Sequence, residues 1–128
     1  MIVLSSTITP PIVLGGDFNS MPDSDVYQHM TSDCGDGLPK LNSAFGTGLW
    51  KEAEGKTTAE ATQTSSPALE PPYTTVTPGF TATIDYLFTA GIAVSKLKPL
   101  PARDTLGNGL PMGTHPSDHL PIVADVSL

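Results

Sequence analysis

Pro11-Ile12-Val13-Leu14-Gly15-Gly16-Asp17-Phe18-Asn19-Ser20 decides how the rest of this sequence is read. A short β-branched run is ended by two glycines, the pattern of a buried strand entering a tight turn. Asp17 and Asn19 follow at the strand's end, two positions apart. In an extended segment, positions i and i+2 point the same way, so this spacing puts a carboxylate and an amide in one patch. Such a patch holds a proton acceptor beside a donor able to touch a phosphate oxygen. A turn in which Asp and Asn bond their own backbone accounts for the same letters equally well.

Working outward, a helix fits from about Asp23 to Met30. Asp23 or Ser24 can cap it, Pro22 precedes the cap, and Val26, Tyr27 and Met30 share one face. His29 falls near its C-terminal end, where positive charge is favoured. The stretch from Thr31 to Pro72 says less. Leu41-Asn42-Ser43-Ala44-Phe45 suits core packing, whereas Glu52 to Pro72 is Thr, Ser, Ala, Glu and Pro, the composition of a surface loop or partly disordered insert.

Thr83-Ile84-Asp85-Tyr86-Leu87-Phe88 alternates Ile84, Tyr86 and Phe88 with Thr83, Asp85 and Leu87, which is strand periodicity. An aspartate among these apolar residues must reach solvent, a metal or a cation. The exposed face of a half-buried strand is the plainer alternative. Ile92 to Leu97 reads as the next strand, a Pro- and Gly-rich loop runs from Pro99 to Pro116, and Leu120 to Val126 reads as the last strand. Between them lies His115-Pro116-Ser117-Asp118-His119-Leu120-Pro121-Ile122. Pro116 and Pro121 restrict the backbone on either side of the Asp-His pair. Adjacent Asp and His at a loop–strand junction suit a metal or phosphate site, with a capped turn and surface histidine as the alternative.

The 128 residues are 38% hydrophobic, enough for one small core. The net charge of −7 argues against a sequence-independent nucleic-acid-binding module, which needs a basic face. It is compatible with a hydrolase that meets one phosphate through a bound cation, because hard cations require carboxylates. Cys34 is the one cysteine, so no internal disulfide or thiolate cluster forms. A buried or semi-buried thiol in a reducing, cytoplasmic setting is expected, with nucleus and organelles as alternatives. Met1 to Ser6 is too short and uncharged for a signal peptide, and no apolar run reaches membrane-spanning length.

Taken together, the three blocks Gly16-Asp17-Phe18-Asn19-Ser20, Ile84-Asp85-Tyr86-Leu87-Phe88 and Pro116-Ser117-Asp118-His119-Leu120-Pro121-Ile122 resemble signatures of the endonuclease/exonuclease/phosphatase superfamily. The finer resemblance is to its branch of carbon-catabolite-repressor-type deadenylases, nocturnin, angel and 2′,5′-phosphodiesterase. Met21-Pro22-Asp23-Ser24 with Val26-Tyr27 carries it, as do Tyr73-Thr74-Thr75-Val76-Thr77-Pro78-Gly79-Phe80 and Pro99-Leu100-Pro101.

The resemblance implies an α/β fold, part of a four-layer α/β/β/α sandwich of the DNase I-like kind. It implies a magnesium-dependent phosphodiesterase acting on RNA, a 3′-exonuclease of deadenylase type, with Mn2+ as a substitute cation. A poly(A) 3′ end as substrate and a larger mRNA-decay complex as partner follow from it. Asp17 would orient or deprotonate the attacking water, and Asn19 would contact the scissile phosphate. Asp85 would fix the tautomer of His119, which would stabilise the phosphate, and Asp118 would be the metal carboxylate. Phe80 would contact a base by stacking, with core packing an equal alternative. Thr75 and Val76 depart from the Asn and aromatic residue frequent in that branch, while Tyr73, Tyr86 and Trp50 read as packing residues and His115 as a loop residue.

The family also places an asparagine and a principal magnesium-binding glutamate on early strands. Only Met1 to Gly15 precede the first block here, and Glu52, Glu54, Glu60 and Glu70 sit in the loop-like insert. The chain therefore reads as the C-terminal portion of one such domain, with the insert at about 52–72. A non-catalytic fragment serving as an interaction module, or a superfamily member with a phosphoinositide, sphingolipid or abasic-DNA substrate, are the alternatives.

Overall fold

A computed structural model describes residues 10–33, 35, 37–50 and 65–128. The expectations for Cys34, for Met1 to Ser6 and for residues 52–64 of the insert lie outside these. Strand β1 (Ile12–Asp17) and strand β5 (Asp85–Ala90) pair antiparallel along their whole length, and β2 (Asn42–Ser43) adds to the far edge of β5. Strands β3 (Thr75–Thr77) and β4 (Phe80–Ala82) form a hairpin, and β6 (Ala93–Leu97) pairs with β7 (Ala124–Ser127). The architecture is mixed α/β with antiparallel sheets.

β5 organises the packing. Its alternate residues Tyr86, Phe88 and Ala90 point into one core with Tyr27 and Leu41, onto which Ile12, Phe18 and Met30 pack. Phe18 meets Phe88 edge-on at 5.1 Å and Tyr86 stacks on Phe88 at 5.2 Å. Leu87 points to the opposite face, toward Ala44, Phe45, Val94 and Leu97. The period-2 alternation expected here is thus observed.

Several details differ from expectation. β1 is largely exposed, with Val13 and Leu14 open to solvent, because β1 is the edge strand of the described sheet. Helix α1 (Asp25–Thr31) is capped by the Ser24 hydroxyl, which accepts from Tyr27 N, and it buries Tyr27 while Val26, the next position round the helix, stays exposed. The final strand begins at Ala124 and not at Leu120, since Leu120 N is taken by Thr74 O and His119 bridges to Thr75. Phe80 is 50% exposed at the start of β4, which removes core packing as its role.

The end of the expected insert is ordered. Pro67–Leu69 forms a 3₁₀ turn capped by Ser66, and Glu70 is buried. Tyr27 Oη donates to Glu70 Oε1 at 2.8 Å, while Oε2 is buried without a hydrogen-bond partner. Burial pushes the Glu70 carboxyl up to about 7, against the opposing pull of the Ser43 and Tyr27 hydroxyls. Gly46 is the close approach that makes room for this pair, since a Cβ there would lie 2.6 Å from Glu70 Oε1 and 2.7 Å from Tyr27 Oη.

Two outcomes follow. Gly46→Ala breaks the Tyr27–Glu70 hydrogen bond and lowers unfolding free energy by about 1–3 kcal/mol, measured by urea denaturation. The folded state holds the Glu70 proton more tightly than the unfolded chain, so this group's contribution is present at acid pH. It is lost as pH rises from the ordinary carboxyl value toward about 7, by roughly 3 kcal/mol. Glu70→Gln flattens that slope in a pH series of denaturation curves.

Candidate active site

The register of β1 against β5 sets Asp17 opposite Asp85 at one end of the ladder. Opposite residues of an antiparallel pair project on the same side, so both carboxylates face one way. The third element is the loop before β7. Thr75 bridges to His119, and Thr75 Oγ1 donates to Asp118 O at 2.6 Å, which lays the Asp118-His119 peptide along the β3–β4 hairpin.

His119 Nδ1 lies 2.9 Å from Asp85 Oδ2 and 3.0 Å from Oδ1. Asp85 is only 12% exposed, and its carboxylate holds the imidazole with Nδ1 as donor. Nε2 then points out of the pair. It lies 3.8 Å from Asp17 Oδ2 and 3.9 Å from Asp118 Oδ1, on side chains 49% and 61% exposed. The Asp85 hydrogen bond raises the His119 pKa above its ordinary value. The charges of Asp85, Asp118 and Asp17 add to this, and partial burial opposes it. The imidazolium is the form this surround favours.

Asp17 adopts the local-turn reading of the first motif and also faces the histidine. Its Oδ1 accepts the backbone N–H of Asn19 at 2.8 Å, closing a local turn, while Oδ2 faces His119. Asn19 has φ of 49°. The chain therefore leaves the extended region after Asp17, and the expected i, i+2 alignment of the two side chains does not hold. Asn19 joins the cluster through its backbone. Phe80, exposed at the hairpin, and His115, in the turn closed against Met112, stand apart from the His119 contacts described above.

Thr74 is the residue sequence reasoning missed. Its hydroxyl donates to Asp85 Oδ2 at 2.6 Å and accepts from Ile84 N at 3.0 Å and Asp85 N at 3.1 Å. Its carbonyl accepts Leu120 N at 2.8 Å. One residue thereby fixes both Asp85 and the segment carrying His119. A Thr-rich run such as Thr74-Thr75 reads only as strand propensity, so no local signal singles it out. Tyr86 packs its ring in the core as expected, and its hydroxyl adds contacts the sequence does not signal, 2.7 Å from Ser20 O and 3.1 Å from Thr83 O.

Asp17, Asp85 and His119 have ligand atoms within 4.8 Å of one another. Asp85 is already engaged by Thr74 and His119, whereas Asp17 Oδ2 and Asp118 Oδ1 are exposed hard oxygens flanking the same nitrogen. That donor set fits a hard divalent cation held by carboxylate oxygens, with the imidazole beside it.

Residues 2–119 match the Endonuclease/Exonuclease/phosphatase family. The chain belongs to that family. Among curated endonuclease/exonuclease/phosphatase relatives it is similar to carbon catabolite repressor protein 4 homolog 4 of Arabidopsis thaliana, 34% identical over 126 residues, covering 94% of this chain and 28% of that protein. It is also similar to 2′,5′-phosphodiesterase 12 of Rattus norvegicus, 29% identical over 120 residues, covering 91% and 19%. Nocturnin of Xenopus laevis is 32% identical over 126 residues, covering 93% and 28%. The chain thus spans about a fifth to just over a quarter of the length of these relatives.

Two measurements check the geometry. In metal-free protein, the His119 ring resonances titrate above an ordinary imidazole, and Asp85→Asn moves the midpoint down. The stabilisation linked to this histidine is present at low pH and is lost as pH rises through the raised value. Thr74→Val leaves the Ile84 and Asp85 amides without their acceptor and costs about 1–3 kcal/mol in thermal or chemical unfolding, while Thr74→Ser restores most of it.

Proposed function

We propose that this chain carries catalytic residues of a magnesium-dependent phosphodiester hydrolase that acts on RNA as a 3′-exonuclease, with poly(A) ends as substrate. The single observation that supports it is His119 Nε2, backed through the ring by Asp85 and flanked by Asp17 and Asp118. Relatives named as a 2′,5′-phosphodiesterase and as a probable CCR4-Not complex 3′-5′-exoribonuclease subunit, the latter from Encephalitozoon cuniculi, support the reaction class and the RNA substrate. The second of these names is also what supports membership in a larger mRNA-decay complex. In the same reading the described strands belong to the C-terminal part of a four-layer α/β/β/α domain.

The roles follow from the chemistry of each group. Asp17 Oδ2, exposed and without a committed donor among the described contacts, accepts the proton of the attacking water. Asn19 contacts a non-bridging phosphate oxygen. Asp85 holds the ring of His119 so that Nε2 donates toward the phosphate as negative charge grows there. Asp118 would hold Mg2+ beside His119, with Mn2+ able to replace it. When bound, the cation neutralises charge on the phosphate and leaving oxygens. Phe80, exposed on the hairpin, offers a flat face to a base.

The test is cleavage of 5′-labelled oligo(A) with Mg2+. The protein is expected to shorten it from the 3′ end, and Asp17→Ala or His119→Ala to lower kcat/KM by about 10²–10⁴-fold. Absence of cleavage by the native protein, or cleavage unchanged in either variant, overturns the proposal.

A further inference from the structure

Pro71-Pro72-Tyr73 joins buried Glu70 to Thr74, the residue that fixes Asp85 and the His119 segment. The two prolines have their φ fixed by their rings, so this short arm carries little slack. At its head, the Trp50 indole N–H donates to Leu69 O at 2.6 Å, Tyr27 Oη donates to Glu70 Oε1 at 2.8 Å, and buried Pro71 accepts the Thr83 hydroxyl. At its foot, Tyr73 Oη donates to Pro101 O at 2.6 Å and Thr74 N to Ala82 O at 2.9 Å.

The carboxyl at the head is the weak point of this arm. Glu70 is 8% exposed, and its Oε2 has no hydrogen-bond partner. A Cβ on Gly46 would collide with Glu70 Oε1, so a water has no room on that side either. The groups described around the carboxyl are the phenols Tyr27 of α1 and Tyr86 of β5, with the hydroxyls of Ser43 in β2 and of Ser65. Burial raises both phenols, Glu70 adds to this in each, and Asp85 and Asp23 add further at Tyr86, so both stay neutral at physiological pH. None of these groups is a cation, and a buried carboxylate without a balancing charge is costly. Water is reached by lifting the arm.

We propose that Glu70 is a proton-operated latch on the candidate site: with its carboxyl neutral the arm stays seated and Thr74 grips Asp85 and the His119 segment, and ionisation draws Glu70 to water and slackens that grip. As control of catalysis this rests on the hydrolase reading, whereas the latch itself is measured without metal or RNA. Glu70 holds its proton more tightly with the arm seated than with it lifted. Lifting therefore becomes easier as pH rises from the ordinary carboxyl range, by up to about tenfold per pH unit, and levels off above about 7.

The test is native-state hydrogen exchange by NMR on the metal-free chain, between about pH 5 and 6, where His119 stays imidazolium. The reporters are the Trp50 indole N–H, bonded to Leu69 O, and the Ile84 and Asp85 amides, bonded to the Thr74 hydroxyl, with Phe88 of the β1–β5 ladder as reference. The three reporters are expected to share one protection factor, below that of Phe88, insensitive to low urea and falling about tenfold over this unit of pH. Glu70→Gln should remove the fall. Pro72→Gly, at an exposed position, should leave the Trp50 behaviour and return Ile84 and Asp85 to the protection of Phe88. Ile84 and Asp85 exchanging with Phe88 in the native chain, an undiminished fall in Glu70→Gln, or coupling unaltered by Pro72→Gly would overturn the latch. Failure of oligo(A) cleavage with this exchange pattern intact would strike the hydrolase reading alone.

Discussion

Everything at the candidate site depends on the hydrogen bond between Asp85 and His119, and that bond depends on Thr74. Asp85 is at the first residue of β5 and His119 is in a loop 34 positions later. Nothing local brings them together. Thr74 does so from between them, with its hydroxyl on the Asp85 carboxylate and its carbonyl on the amide after His119. A carboxylate in this half-buried place is stable because two donors meet it, the Thr74 hydroxyl and the His119 ring, and the Thr74 hydroxyl is itself held by the Ile84 and Asp85 amides. With Nδ1 committed, Nε2 is the only ring atom left to act on a ligand.

The same constraint explains the division of labour among the three aspartates. Asp85 is shielded and saturated, and serves to orient. Asp17 and Asp118 are exposed and each keeps an oxygen directed to Nε2. One histidine and three carboxylates would be a costly concentration of negative charge if all were equivalent. The raised His119 pKa is the electrostatic response, placing a positive charge at the centre of the group. A bound cation beside Asp17 and Asp118 would relieve it further.

Much of this was legible in the sequence, for identifiable reasons. The alternation of Ile84, Tyr86 and Phe88 is a strand signal that burial obeys. Ser24 three positions before Tyr27 is a cap signal, and the cap forms. The three motif blocks could be joined only through resemblance, because strand register and loop path are not encoded locally. The turn at Asn19 was legible as an alternative, and it coexists with the approach of Asp17 to His119, each using a different carboxylate oxygen. The polar contacts of Thr74, Tyr86 and Glu70 escaped notice because hydroxyls and carboxyls acquire partners through tertiary packing. Glu70 in particular sits in a composition that reads as loop, yet it closes against Tyr27 across 43 residues.

The central claim is that Asp17, Asp118 and His119 surround one cation- and phosphate-sized space. Paramagnetic relaxation by Mn2+, followed residue by residue in the NMR spectrum at substoichiometric metal, reads that space directly. The account predicts broadening centred on Asp17, Asp118 and His119, reversed by excess Mg2+ and abolished in Asp118→Asn. Broadening spread over Asp33, Asp104 and Asp125, with no centre at His119, would contradict it.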